Sequence, residues 1–463
     1  MNEQFRVTVN GKVVLAEAGT TLSDILDIEK PCGGKGTCGK CRVRVNGKEE
    51  LACRYVINSD IEVETKEKSK IVSETGADES GHITDNLCFA LDIGTTTLAL
   101  ALVSLDEKKT VRVVTATNPQ RAYGADVITR IDYCQKNSVK ELHDVLIAEI
   151  NRMIGEFDVP TVDTMYVSAN VTMLHTFFDV DCTSIGVAPY TPAFLDSKTE
   201  SADTVGLNGV KRVISLPSVS SFVGADIVAG LNLIDMPEDG KYNLLIDLGT
   251  NAEVVLYSNK SGVATAAAAG PCFEGANISC GMSATRGAIY AFELNYGHAS
   301  YKTIADGEAT GLCGTGLIDI VSELVKNEII DETGYMEEDY TLSDGVYLSC
   351  EDVRQYQLAK SAVCSAVLSL MNTVDIGFES ISKMYISGGF SAKINIANAA
   401  YTGLLPKELV CKTVALNNSS LQGTIKYACD GGDINRFTDM IKYVDLSANP
   451  YFSELFMENM MFE

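Results

Sequence analysis

The sequence predicts a chain in two parts: a small mixed-sheet domain built round a cysteine-rich loop, then a larger two-lobed α/β body. Two observations predict it. The stretch Pro31–Cys53, PCGGKGTCGKCRVRVNGKEELAC, carries Cys32, Cys38, Cys41 and Cys53 in the spacing C-x5-C-x2-C-x11-C. An apolar strand, Asp-x-Gly-Thr and a second apolar strand then occur twice, in Cys88–Leu105 and in Asn243–Tyr257. Such an internal repeat is the mark of a duplicated structural unit. A chain of 463 residues has the length for several domains and ample core.

The elements of the first part follow in order. Phe5–Asn10 alternates, Asn10-Gly11 is a hairpin turn, and Lys12–Ala16 starts the return strand. Thr21–Leu26 is expected to be a short capped helix. The cysteine loop comes next, then a strand at Arg42–Val45 and a turn at Asn46-Gly47. Gly33, Gly34, Gly36 and Gly39 give the loop the backbone freedom to turn several thiolates inward, with N–H groups free to bond sulfide. Four cysteine ligands suit a [2Fe–2S] cluster, and plant-type ferredoxins use C-x4-C-x2-C with a distant fourth cysteine. The first gap here is one residue longer. Structural zinc is the competitor, but four-cysteine zinc sites usually pair two C-x2-C knuckles, and this loop has one.

From Lys66 to Asn86 the sequence is polar and without period, so residues 67–86 are expected to be a flexible linker between residues 1–66 and the body. About 20 residues of flexible coil span on the order of 25 Å.

The body begins abruptly at Leu87. Each repeat places a Gly/Thr turn between buried strands, a geometry that leaves consecutive N–H groups pointing one way as an anion nest. Gly94, Thr95, Thr96 and Thr97 form the first turn, and Gly249, Thr250 and Asn251 the second. Asp92 and Asp247 precede the turns and are expected to hold a hydrated Mg²⁺ or to orient water, since Mg²⁺ favours one or two carboxylates with waters and phosphates. Glu253, just past the second turn, is a candidate for polarising water; the alternative is a solvent-facing strand residue. Lys383–Ser391, KMYISGGFS, is a strand ending in Gly388-Gly389, where paired glycines admit a flat ligand close to the backbone.

Composition excludes several classes. The formal charge is −25 and argues against nucleic acid. Residues 1–66 hold ten basic and ten acidic side chains, so the whole excess lies in the remainder, 27 against 52. No apolar run approaches the ~18 residues of a membrane span, and the N-terminus has no apolar signal core, so a cytoplasmic, membrane-free protein is expected. Fourteen cysteines in a chain of this size indicate metal ligation and scattered reduced thiols. Cys272, Cys280 and Cys313 lie in Gly-rich stretches and are read as buried, inert thiols. His175 suits a core or lobe contact as well as chemistry.

The hairpin, helix, cluster loop and strands resemble the β-grasp ferredoxins. Two phosphate turns followed by a glycine pair resemble the actin, chaperone and sugar-kinase (ASKHA) ATPases. In that superfamily two α/β lobes, here 87–242 and 243–463, close over ATP. The combination resembles the reductive activators of corrinoid enzymes. NPQRAYGADVITR (118–130), NVTMLH (170–175), APYTPAF (188–194), FVGADIVAG (222–230), GPCFEGANISCGMSATR (270–286), GLCGTGLIDIV (311–321), the SGGF loop and the final NPYFSELFMENMMFE agree with that family. The resemblance implies an ATP-hydrolysing iron–sulfur reductase that returns a corrinoid from Co(II) to Co(I). Its [2Fe–2S] cluster sits on Cys32, Cys38, Cys41 and Cys53, and Mg²⁺ and ATP are bound with the help of Gly314 and Thr315. It implies as partners a corrinoid protein or corrinoid-dependent methyltransferase and an upstream electron donor, and allows a homodimer. Two departures stand out. The linker runs straight into Leu87, so the chain reads as a short form without a middle domain. Extra [4Fe–4S] motifs are absent, since Cys350, Cys364, Cys411 and Cys429 are far apart in sequence.

The division of labour is energetically reasonable. A gap of about 200 mV below a centre near −400 mV costs roughly 5 kcal/mol, within reach of a nucleotide-driven closure. The alternatives are an ATP-driven electron transferase for another low-potential enzyme, a small-molecule kinase with a redox-sensing domain, and an actin-like scaffold.

Overall fold

The computed structural model describes residues 4–26, 28, 36, 41–65, 86–389, 391–447 and 449–462. Residues 4–64 carry a five-stranded sheet. Strands β1 (Gln4–Val9) and β2 (Lys12–Glu17) meet at Asn10-Gly11, whose φ angles are 48° and 83°. This left-handed pair is the one a two-residue hairpin needs to match strand twist. Helix α1 (Leu22–Ile25) starts where the N–H and hydroxyl of Thr21 donate to Asp24 at 2.9 and 2.7 Å. β3 (Arg42–Val45) and β4 (Lys48–Leu51) repeat the hairpin at Asn46-Gly47, with φ of 48° and 80°. β5 (Ile61–Glu64) lies between the hairpins, parallel to β1 and antiparallel to β3. One face is apolar, and Val7, Leu22, Val43, Val45, Ile57 and Val63 bury it together.

The larger part is organised on two six-stranded sheets. In the first, β6 (Leu87–Ile93), β7 (Thr97–Ser104) and β8 (Lys109–Thr117) form an antiparallel meander. Helices α2 (Val127–Lys136) and α3 (Val139–Gly155) lead to β9 (Val162–Ala169), which joins β6 in parallel. After α4 (Val171–Phe177), β10 (Thr199–Ser201) and α5 (Ala202–Val205), β11 (Val210–Ser215) joins β9 in parallel.

Helix α6 (Ala225–Leu233) leads to the second sheet, whose meander is β12 (Tyr242–Leu248), β13 (Ala252–Tyr257) and β14 (Gly262–Ala267). An excursion follows. It holds β15 (Ala288–Asn295), β16 (His298–Thr303) and β17 (Gly311–Leu312), then α7 (Gly314–Lys326), the hairpin β18 (Tyr340–Ser343) and β19 (Val346–Leu348), and the long α8 (Cys350–Thr373). β20 (Ile381–Ser387) then joins β12 in parallel, and beyond α9 (Ile396–Tyr401), β21 (Thr413–Ala415) joins β20. Helices α10 (Ser419–Asp430) and α11 (Asn435–Met440), strand β22 (Ile441–Tyr443) beside β14, and α12 (Pro450–Glu458) complete the chain.

The order β11-β9-β6-β7-β8 therefore recurs as β21-β20-β12-β13-β14, with the same sense at every pairing. β6 and β12 sit inside their sheets and are almost wholly buried, so they are apolar throughout except at Asp92, Asn243 and Asp247. A strand covered on both faces reads as a continuous apolar run for this reason. Helices α6 and α10 occupy equivalent places after β11 and β21, and they cross. A Cβ on Gly423 would lie 1.8 Å from the Ala229 carbonyl oxygen, so only glycine permits the approach. Among the described residues no helix is long and apolar enough to cross a membrane.

Candidate functional site

The repeated topology places the two Asp-x-Gly-Thr turns at equivalent strand ends. Asp92 lies beside Ser168 of β9, and Asp247 beside Ser387 of β20. The turns differ by one residue: Gly94–Thr97 separates the pair Ile93/Leu98, whereas Gly249–Asn251 separates Leu248/Ala252.

In the first turn the backbone carbonyls are tied backwards. The Asn118 side chain donates to Gly94 O at 2.8 Å, Arg130 donates to Thr95 O, and the Asn118 N–H donates to Thr96 O at 2.9 Å. A planar trans peptide puts its N–H opposite its C=O. The N–H groups of Thr95 and Thr96 accordingly turn the other way, and neither has a partner among the described residues. The Thr95 hydroxyl accepts from Asn170 at 3.2 Å. In the second turn the Thr250 hydroxyl donates to Glu274 at 2.7 Å, while the N–H groups of Thr250 and Asn251 have no partner among the described residues.

Carboxylates gather between the turns. Asp247 and Glu253 are directly opposed across β12 and β13 and so share one face. The equivalent of Glu253 in the first hairpin is Ala99, opposite Asp92. Asp226, the second residue of α6, and Glu274 complete the group. Burial pushes Asp92 up to about 7, with the Ser420 hydroxyl opposing and Asp247 adding. Burial first, and the Asp247 charge second, push Asp226 up to about 7. Asp247 rises to about 6 through burial, and Glu253 lies well above the usual carboxylate range through burial and its neighbours Asp247 and Asp226. Burial also raises Glu274, against the Thr250 hydrogen bond and the charges of Arg121 and Arg130. Among the described residues no three His, Cys, Asp or Glu side chains converge closely enough to hold a metal unaided.

Each crossing helix reaches the opposite sheet's turn. Ser420, the second residue of α10, donates to Asp92 at 2.7 Å, and Asp226, at the equivalent place in α6, lies close enough to Asp247 to feel its charge. Behind Ser420, Thr424 donates to Ser168 at 2.7 Å, and Ser168 lies 2.8 Å from Ser420.

Gly388 and Gly389 end β20. A Cβ on Gly388 would lie 2.1 Å from Leu248 O at φ +115°, so the glycine is required, while Gly389 faces open space. Gly314 and Thr315 open α7, where a Cβ on Gly314 would lie 2.2 Å from Phe273 O and the buried Thr315 hydroxyl sits 3.4 Å from Cys313 Sγ. They therefore pack against the segment carrying Glu274, one step behind the carboxylates. Cys272 and Cys313 are buried, and burial pushes Cys272 up to about 12, so it stays a protonated thiol. Buried His175 donates through Nδ1 to Val171 O at 2.7 Å and accepts at Nε2 from Ala193 N–H at 3.0 Å, stacking on Phe194. Both nitrogens are thus used, Nδ1 within its own helix and Nε2 in holding the 188–194 loop.

In the small sheet, Cys41 and Cys53 are buried with Sγ atoms 3.2 Å apart, unbridged. Two thiols this close, one leading into β3 and one following β4, fit neighbouring ligands of one soft-metal centre. Cys32 and Cys38, and linker residues 67–85, lie outside the described residues.

Asp226, Glu274, Ser420, Arg130 and Asn118 were not legible as site residues. The stretches FVGADIVAG, FEG and NPQRAYGADVITR carry all but Ser420. Nothing local marks them, and tertiary packing brings them in. The strand repeat, extended to the helix after the fifth strand, is the signal that pairs Asp226 with Ser420.

Comparison with known proteins adds the family. Residues 241–463 match the C-terminal, ASKHA domain of RACo, and residues 87–239 match the RACo middle region. The chain is 27% identical over 416 residues to the corrinoid activation enzyme RamQ of Eubacterium limosum, covering 81% of this chain and 70% of that one. It is 26% identical over 378 residues to the [Co(II) methylated amine-specific corrinoid protein] reductase of Methanosarcina barkeri, covering 72% and 68%. A solved reductive activator for corrinoid, iron–sulfur protein superposes with a TM-score of 0.74 at 24% identity, covering 99% of this chain and 98% of that one, which shows a shared fold. The middle-region match corrects one expectation. The chain is not a short form: the stretch after Leu87 that reads as the first ATPase lobe is itself the middle region, and its Asp-x-Gly-Thr hairpin masked that identity. With both its middle and its C-terminal regions matched, the chain belongs to the RACo family.

Proposed function

We infer that this protein reactivates a corrinoid protein, reducing its cobalt from Co(II) to Co(I) in a reaction coupled to ATP hydrolysis. The observation that carries the nucleotide part is the pair of turns with unpartnered N–H groups facing a set of half-buried carboxylates. Five acids pushed above their ordinary range form a poor resting arrangement, and a Mg²⁺–triphosphate supplies the cation they lack and the anion the N–H groups lack. Asp92 and Asp247 manage Mg²⁺ or its water, and Glu253 polarises the attacking water. Gly94–Thr97 and Gly249–Asn251 cradle phosphate, and Gly388-Gly389 backs the base. Gly314 and Thr315 shape the floor beneath Glu274.

Cys41 and Cys53 of the small sheet fit two ligands of a [2Fe–2S] centre, and we read Cys32 and Cys38 as the other two. When bound, such a cluster supplies single electrons at low potential. Among the described residues the chain's own contribution is to bury Cys41 and Cys53 side by side. We read residues 1–66 as a β-grasp ferredoxin domain, tethered by 67–86 to the lobes that engage the partner and, by closing on nucleotide, bias its cobalt toward reduction.

The test is reduction of candidate Co(II) corrinoid proteins followed by visible absorption, with and without Mg²⁺ and ATP. Appearance of the Co(I) spectrum only with protein, reductant and ATP together is the expected result. Equal reduction without ATP removes the coupling.

A further inference from the structure

Among the described residues the bulkiest fully buried side chain is Arg130, in α2, directly behind the first phosphate turn. Its Nε donates to Gly124 O at 3.0 Å, Nη2 to Thr95 O, and Nη1 to Gln120 Oε1 at 3.3 Å and Met173 Sδ at 3.1 Å. All four partners are uncharged. Among the described residues no carboxylate lies within ion-pair distance of it. The charges that face it at longer range are Arg121, Asp126 and Glu274. Burial and the neighbouring Arg121 pull the guanidinium down to about 9, still a cation at neutral pH.

A buried guanidinium with no carboxylate partner is costly, and an anion placed within its field would offset that cost. The anion's place is indicated by the loop. Arg130 holds the Thr95 carbonyl backwards, which turns the Thr96 N–H to the opposite side, and Asn118 does the same on either flank. We propose that Arg130 is the positioning residue of the first phosphate turn: it orients the turn's N–H groups and supplies the buried positive charge that makes this turn select for ligand charge. The proposal rests on the nucleotide reading above and deepens it. Arg130 touches no ligand; it acts through the Thr95 peptide and through its field in a water-poor site, where one charge is felt strongly.

The experiment measures equilibrium binding of ATP, ADP and AMP, each with Mg²⁺, to the full-length chain and three variants, with melting temperature as the control for folding. The wild type should bind in the order ATP, ADP, AMP. Arg130→Gln should weaken ATP by at least about tenfold, the size of one unit-charge interaction in a partly buried site, and AMP by less than about twofold. Arg130→Lys, which keeps the charge and loses the fork, should retain most of the ATP-over-AMP preference. Gln120→Glu leaves Arg130 in place and neutralises it from the 3.3 Å contact. It should compress the preference in the same direction, and it decides the matter if Arg130→Gln does not fold. Equal loss for ATP and AMP, or an unchanged ATP-over-AMP ratio in Gln120→Glu and any folded Arg130→Gln, overturns the proposal while leaving nucleotide binding intact. A wild type with no preference for ATP overturns the nucleotide reading and the proposal with it.

Discussion

Ser420 and Asp92 lie 328 positions apart in the chain, yet the serine hydroxyl donates to the aspartate at 2.7 Å. The bond ties the helix that follows the second sheet's last crossover to the phosphate turn of the first. Thr424, Ser168 and Ser420 form a run of hydroxyls leading to that carboxylate, all but Ser420 wholly buried. A hydrogen-bonded run of this kind strengthens along its length. Ser420→Ala should lower ATP turnover and also cost about 1–3 kcal/mol of stability, the penalty for leaving buried polar groups unpaired. Ser420→Thr should restore part of both. Turnover and denaturant midpoint are the measurements, and an alanine variant equal to wild type in both would show the bond to be incidental.

Asp247→Asn should cut ATP turnover by at least about tenfold, the usual scale for removing a metal-positioning carboxylate. The visible spectrum of the iron–sulfur centre should not change. Unaltered hydrolysis would remove Asp247 from the site.

The acid cluster predicts a pH dependence of stability with a definite sign. Unfolded aspartates titrate near 4, whereas Asp92 and Asp226 rise to about 7 and Asp247 to about 6 in the fold. Between those limits the folded state holds more protons than the unfolded one, so their contribution to stability is complete below about pH 4 and is lost as pH rises toward 7. Without Mg²⁺ the melting temperature should fall between about pH 4 and 7, and Asp226→Asn should flatten that slope. Mg²⁺ with ATP should flatten it too. A slope in Asp226→Asn as steep as in the wild type would contradict the assignment.

One [2Fe–2S] centre per chain is expected, with about two irons and two sulfides in anaerobically purified protein. Cys41→Ser should lose it, because Cys41 and Cys53 lie side by side in a buried site. The same variant should still bind ATP but fail to reduce Co(II) with a limiting physiological donor. Zinc in place of iron, or activation of the corrinoid protein at the wild-type rate, would sink the electron-donor role.

How much of this was legible follows the range of the interactions. Asn10-Gly11 and Asn46-Gly47 announced their hairpins because two consecutive residues with positive φ are a local demand that few sequences meet. The Asp-x-Gly-Thr repeat announced two equivalent strand ends, since buried strands are apolar and only the turn is free to be polar. It could not announce the shorter second turn or the pairing of Glu253 with Asp247, which depend on register. Asp226 and Ser420 were invisible because each serves the sheet to which it does not belong. The middle region was misjudged for a related reason: a domain that carries half of a repeated motif looks like half of the domain that carries the other.

The crossing of α6 and α10 has a mechanical consequence. With a Cβ on Gly423 only 1.8 Å from the Ala229 carbonyl oxygen, the two backbones touch with no side chain between them. Surfaces in such contact have little room to slide, because sliding drives a Cβ or a carbonyl into the facing helix. The two sheets are thereby geared to a single axle. Any rotation of one sheet against the other about that axle would displace distant points most, and Ser420 and Asp226, the second residues of the two crossing helices, least.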